Sequence, residues 1–183
     1  SKGTFEKKLA GSIQITYRLL ITLFLFSFFS AQEKWNYSAE EMEQIKANGQ
    51  KIQRLKGKVR FSKKDHVILT DNAVQYMKDD VLHMNGNTIM INGLDTLTCD
   101  SMVYWSNLDS GYAMGNVHYI QPEKGRLLTT EVFHYWQTEG YRGSSFITKG
   151  YTRIIEPNQL ITANAISYDD NKERMKLNRN ASV

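Results

Sequence analysis

Leu97-Thr98-Cys99-Asp100-Ser101-Met102-Val103-Tyr104-Trp105, a turn over Asn107 to Gly111, and Tyr112-Ala113-Met114-Gly115-Asn116-Val117-His118-Tyr119 together form the stretch on which the rest of the chain is patterned. Its first half recurs as Leu69-Thr70-Asp71-Asn72-Ala73, as Leu128-Thr129-Thr130-Glu131-Val132-Phe133-His134-Tyr135 and as Ile161-Thr162-Ala163-Asn164-Ala165-Ile166-Ser167-Tyr168. The second half recurs around a glycine, in Gly57-Lys58-Val59, Gly86-Asn87-Thr88, Gly115-Asn116-Val117 and Gly150-Tyr151-Thr152. These glycines stand 29, 29 and 35 residues apart, and the polar markers Asp71, Asp100, Glu131 and Asn164 stand 29, 31 and 33 apart. Such a period is the mark of a stacked repeat architecture.

From Lys56 onward the apolar pattern has a period of two. The runs Val67 to Tyr76, Val81 to Ile91, Thr96 to Trp105, Tyr112 to Ile120, Arg126 to Trp136, Ser144 to Ile155 and Gln159 to Tyr168 are separated by turn-forming clusters such as Asn92-Gly93-Leu94-Asp95 and Pro122-Glu123-Lys124-Gly125. Short connections make neighbouring strands antiparallel. The sequence therefore predicts an all-β fold, an antiparallel meander of about nine strands in which each pair of strands is one repeat.

Alternate side chains of a strand share a face. With Asp100 outward, the inward set is Leu97, Cys99, Ser101 and Val103, and the same phase gives Ile68, Thr70 and Val74, then Leu128, Thr130 and Val132, then Ile161, Ala163 and Ala165. After each glycine, positions two and four add Met90, Val117, Tyr119 and Ile154 to that lining. The opposite phase collects Met102, Tyr104, Phe133, Tyr135, Ile166 and Tyr168, so it is apolar too. Gly57, Gly86, Gly115 and Gly150 are read as structural: a glycine within an apolar strand marks a bulge, a bend or a close backbone approach. Four in register would bend every second strand at one height and fold the sheet into an open, V-shaped β-jelly roll; the other arrangement is a closed sandwich with ordinary bulges.

Thr98-Cys99-Asp100-Ser101 with Tyr104, and Ala113-Met114-Gly115-Asn116-Val117, resemble the OstA-like family, the lipopolysaccharide-transport proteins that bridge the two membranes of Gram-negative bacteria. The resemblance runs over residues 52–183 through four degenerate repeats, and it departs from the pattern where Arg179 stands in place of a fifth glycine. It implies a periplasmic carrier that holds the acyl chains of lipopolysaccharide, or of a similar amphipathic lipid, in an apolar groove, with no cofactor and no chemical step. It also implies partners of the same fold, other OstA-like components or second copies of the chain, docked end to end through edge strands. The rival from another class is a structural or adhesive β-repeat protein that self-assembles without lipid. A carbohydrate-active enzyme on a β-solenoid is the third.

Residues 1–31 read as an export signal: Lys7 and Lys8 precede an apolar run of eleven residues, Leu19 to Phe29, and Ser30-Ala31 offers a cleavage point. An uncleaved membrane anchor is the other reading, although the run is short for a span, which takes about 20 apolar residues. Residues 32–54 form a lead-in, helical or irregular: Ser38 and Glu41 suit a helical capping box and Met42, Ile45, Ile52 and Leu55 are loosely spaced for one helix face, while Lys51 to Leu55 could already belong to the first strand. Residues 55–183 form the repeat domain.

The formal charge of +4 falls to +1 once residues 1–31 are set aside, since Lys2, Lys7, Lys8 and Arg18 against Glu6 supply +3 of it. Nucleic acid is therefore not an expected partner. Lys56, Lys58 and Arg60 cluster on the first repeat, where they suit the phosphates of a lipid headgroup or simply discourage edge-to-edge aggregation. Catalysis finds no support, because Ser101 has no glycine-flanked turn around it and the acids Asp71, Asp100 and Glu131 recur once per repeat, as structural ladders do. His66, His83, His118 and His134 lack metal-ligand spacing, and Cys99, as the only cysteine, cannot form a disulfide within the chain.

Overall fold

The computed structural model describes residues 35–47, 49–137 and 144–183, so the expected export signal or anchor lies outside the described residues. Trp35–Val183 is one unit. Its strands are β1 (Asn36–Ser38), β2 (Glu41–Ala47), β3 (Gln50–Lys63), β4 (His66–Tyr76), β5 (Val81–Asn92), β6 (Asp95–Trp105), β7 (Ser110–Gln121), β8 (Arg126–Gln137), β9 (Ser144–Lys149), β10 (Thr152–Glu156), β11 (Gln159–Ala163), β12 (Ala165–Asp169) and β13 (Arg174–Asn178). All belong to one antiparallel sheet, in the order β1-β3-β4-β5-β6-β7-β8-β9-β12-β13, with β2 beside β3 and the β10–β11 pair beside β8. No α-helix occurs among the described residues, and none of their helices is long and apolar enough to cross a membrane.

The helix expected from Ser38 does not form. Ser38 pairs with Arg60 in β1, and β2 pairs with β3 from Glu41↔Lys56 to Ala47↔Gln50. The residues spaced for one helix face instead meet across the ladder, Met42 opposite Leu55 and Ile45 opposite Ile52. The chain reverses within two residues, the second being Gly49 at φ +74°. A neighbouring strand with matching side chains thus outweighs a cap and a loose helical spacing.

Each pass across the sheet bends near its middle, and the glycines explain how. Gly57, Gly86 and Gly115 adopt φ of +74°, +85° and +75°, and the next residues, Lys58, Asn87 and Asn116, are also left-handed at +47°, +45° and +46°. The ladder loses register there: pairing is broken between Lys56 and Val59, between Asn85 and Thr88, and between Met114 and Val117. Against each glycine lies the acid of the preceding strand, so that a Cβ on Gly86 would stand 2.6 Å from Asp71 Oδ2; Gly115 meets Asp100, Gly150 meets Glu131 and Gly57 meets Glu40 in the same way. The following side chain then ties to that acid, with Asn87 Nδ2 donating to Asp71 at 2.8 Å, Asn116 Nδ2 to Asp100 at 2.9 Å, and Lys58 pairing with Glu40 at 2.7 Å. Glu40 is therefore a further marker, 31 residues before Asp71, and the repeat begins earlier than its sequence signature suggests.

The bend divides the sheet into two arms. The first carries β1, Val59–Lys63, His66–Thr70, Thr88–Asn92, Asp95–Cys99, Val117–Gln121, Arg126–Thr130, β10 and β11; the second carries the remaining strands and halves. Their inner faces pack on one another. Tyr119 of the first arm lies 5.2 Å from Phe133 of the second, ring centre to ring centre, and Tyr135 Oη donates to Met90 Sδ at 2.9 Å. The sheet does not close into a barrel; among the described residues β1 and β2 form one edge, and β13 with the stretch around Ser182, which pairs with Thr162 of β11, the other.

Candidate lipid-binding interior

The interior is built of rows that run across the strands. Next to the bend, Thr70 and Thr88 share a hydrogen bond at 3.0 Å, Thr130 and Thr152 one at 2.9 Å, and Thr152 donates to Thr148 at 2.8 Å. These hydroxyls are buried and satisfied, so they narrow the base of the fold without the cost of unpaired polar groups. Beyond them in the first arm the register aligns Phe61, Ile68, Met90, Leu97, Tyr119, Leu128, Ile154 and Ile161. In the second arm Leu55, Ala73, Met84, Met102, Ala113 and Phe133 form the matching row.

Of the expected groove residues, Ile68, Thr70, Leu97, Cys99, Val117, Tyr119, Leu128, Thr130, Ile154, Ile161 and Ala163 are buried in this interior, and Met90 packs against it half-buried. Val74, Val103, Val132 and Ala165 are not in it. They lie just past the marker, where two successive residues face outward: Val132 and Ala165 are the second of such a pair, and Val74 and Val103 stand two positions beyond the pairs Asp71-Asn72 and Asp100-Ser101, after the alternation has resumed in the opposite phase. Met102, Tyr104, Phe133, Tyr135 and Ile166 take the inward places instead. The signal was in the sequence: two apolar phases within one strand mean that the phase changes partway along it.

Val74 and Val103 line an outer depression of about 330 Å³ with His83, Met114 and Asn85. Half-buried Tyr76, Trp105 and Trp136, equivalent by sequence, also face outward, Tyr76 edge-on to His83 at 5.1 Å and Trp136 5.3 Å from His134.

Among the described residues, a small space is left between the arms. The cavity lined by Met90, Asn92, Asp95, Leu97, Tyr119, Phe133 and Tyr135 measures about 20 Å³, room for about one water. Tyr119 Oη donates to Asp95 at 2.6 Å at its rim, which satisfies a phenol whose ionisation burial strongly opposes. Burial likewise pushes the Cys99 thiol up to about 12, so it is an inert packing group.

The basic cluster is already engaged. Lys58 Nζ lies 2.7 Å from Glu40 and Lys56 Nζ 3.9 Å from Glu41, while Arg60 is exposed on the outer face of the first arm. The hydrogen bond to Glu40 raises the Lys58 pKa. Carboxylates at Glu40 and Glu41, in the stretch expected to be only a lead-in, thus balance two of the three cations suited to a headgroup. Among the described residues no group of His, Cys, Asp or Glu is placed to hold a metal ion.

A bent, open antiparallel sheet of two-strand repeats with an apolar inner face is the OstA-like β-jelly roll. Among solved structures, the chain is similar to LptH, described as the LptA-homologous periplasmic component of the lipopolysaccharide transport device from Pseudomonas aeruginosa, with a TM-score of 0.51 and 14% identity over 81% of this chain and 84% of that one. No protein-family model matches the sequence, and no curated protein matches it. At this identity the likeness is one of fold.

Proposed function

We propose that this protein is a periplasmic lipid carrier that binds lipopolysaccharide, or an amphipathic lipid of the same build, and passes it toward the outer membrane without chemical change. The observation that carries the reading is the apolar inner face, unbroken from Leu55 to Ile166 across an open sheet whose fold LptH shares. LptH is described as a periplasmic part of a lipopolysaccharide transport device, and a sequence that reads as exported suits the same compartment. Acyl chains would lie between the arms, with the charged sugar left in water at the tips, so that burial of apolar surface drives binding. Among the described residues, the outer backbone of β13 and of the stretch around Ser182 at one edge, and of β1 and β2 at the other, suits docking to a second copy or to a partner of the same fold, making two interiors continuous.

A filled interior also fits a scaffold that never meets lipid, and one experiment separates the two. A photocrosslinking amino acid placed at Leu97 should capture lipopolysaccharide in Gram-negative cells, whereas the same group at Val103 should not. Equal labelling at both sites, or none at Leu97, would remove the interior as the binding place.

A further inference from the structure

Among the described residues the tips of the two arms touch at three places, and each of these contacts is made by side chains alone. At one end Trp35, beside β1, packs edge-on to Tyr104 of the second arm at 5.8 Å and lies 6.4 Å from His66 of the first. In the middle Tyr135 reaches Met90. At the other end Lys124, in the first-arm turn before β8, and Arg126, the first residue of β8, stand 5.7 and 5.6 Å from the ring centre of Tyr168, and Lys124 Nζ is 4.0 Å from Asp170. Arg126 is only 12% exposed and is held in place by Glu156 at 2.6 Å and by Gln121 at 3.3 Å. Among the described residues the backbone hydrogen bonds follow the sheet, and none joins tip to tip.

The 20 Å³ space between Met90, Leu97, Tyr119, Phe133 and Tyr135 cannot hold an acyl chain, so a lipid that lies there must part the arms. Parting them along the tips breaks ring contacts and a partly exposed ion pair, which are weak interactions, whereas entry through the sheet would break a hydrogen-bonded ladder. We infer that the line of tips is a seam that opens sideways to admit lipid, and that Lys124 and Arg126 against Tyr168 and Asp170 form its latch. This rests on the lipid-carrier reading above. The anionic headgroup of an incoming lipid offers Lys124 a stronger partner than a ring and a carboxylate 4.0 Å away, so arrival of the ligand itself loosens the latch.

The test has two arms, both in a Cys99→Ser background. Spin labels at Asn158→Cys and Asn171→Cys, exposed turn positions on opposite tips, report the gap by pulsed electron resonance. Lys124→Gln with Arg126→Gln should lengthen and broaden the distance; an unchanged distribution overturns the latch. In the second arm, Lys124→Cys and Asp170→Cys are joined by a short bis-maleimide and compared with the same protein capped singly at each thiol. The joined form should bind fluorescent lipid A about tenfold more weakly than the capped form or worse, since locking shut removes the competent state. Equal binding by the two forms overturns sideways entry. If the parent binds no lipid A while the label distance still lengthens in the latch variant, the carrier reading falls and the hinged seam stands.

Discussion

Asp100 and Gly115 explain each other. The glycine is left-handed because the chain must turn away over the carboxylate, and the carboxylate lies there because no Cβ occupies the space. Gly93 separates the two costs, since it is left-handed at φ +60° but a Cβ added there would meet nothing within 4 Å. Gly93→Ala should lose the backbone contribution alone, about 1–2 kcal/mol. Gly115→Ala should lose that and about 1–3 kcal/mol more for crowding against Asp100. In an Asp100→Ala background the excess should vanish, a coupling that urea titration of the four proteins would reveal. Additive losses would mean that Asp100 simply swings aside. Gly125 is a poorer comparison, because it too is left-handed, at φ +59°, and faces Pro157.

Within a strand, the bend decides which side chain is core. Met102 is 1% exposed, whereas its neighbour Val103 lines the outer depression. Met102→Asp should therefore cost about 3–5 kcal/mol by burying an unpaired charge, and Val103→Asp about 1 kcal/mol or less. Chemical denaturation decides between the bent strand and a straight one, in which the two effects would be reversed. The period, the antiparallel meander and the bends at the glycines were legible in the sequence, because turn residues and glycines mark them directly. About nine strands were expected and thirteen form among the described residues, since bends split the outer passes and β1 and β2 arise in the expected lead-in. What escaped was the change of phase after Asp71, Asp100, Glu131 and Asn164. It arises from two consecutive outward residues, and strict alternation cannot represent that. Glu41–Ala47 escaped for a different reason: its exposed residues carry almost no strand pattern of their own, and pairing with β3 supplies the order.

For the whole molecule, open edges carry the main expectation. Arg179 and Asn180 are left-handed at φ +58° and +46°, so the bend is made there without glycine, and Thr162 and Ser182 exchange two hydrogen bonds of 2.9 Å beyond it. The last pass is thus shaped like the others, and its far side is a strand edge. A bulky folded tag directly after Val183 should reduce self-association or partner binding without loss of β signal. Light scattering over a concentration series would measure it, and a protein that is strictly monomeric with or without the tag would exclude docking through this edge.

Because the bends at Gly86 and Gly115 repeat the same acid, glycine and amide contacts, length in this molecule is a modular quantity. Removing Asn87 to Gly115, 29 residues, joins Gly86 to Asn116 and rebuilds a Gly-Asn bend between the first half of β5 and the second half of β7. Asp71 keeps its glycine and regains an amide. Such a deletion should still fold, with lower stability, as nearest-neighbour repeat energetics require, and small-angle scattering should find it narrower by about 10 Å, two strand spacings. A chain that can lose or gain one tile in this way can be fitted to gaps of different widths while its cross-section, and so the kind of cargo it accepts, stays the same.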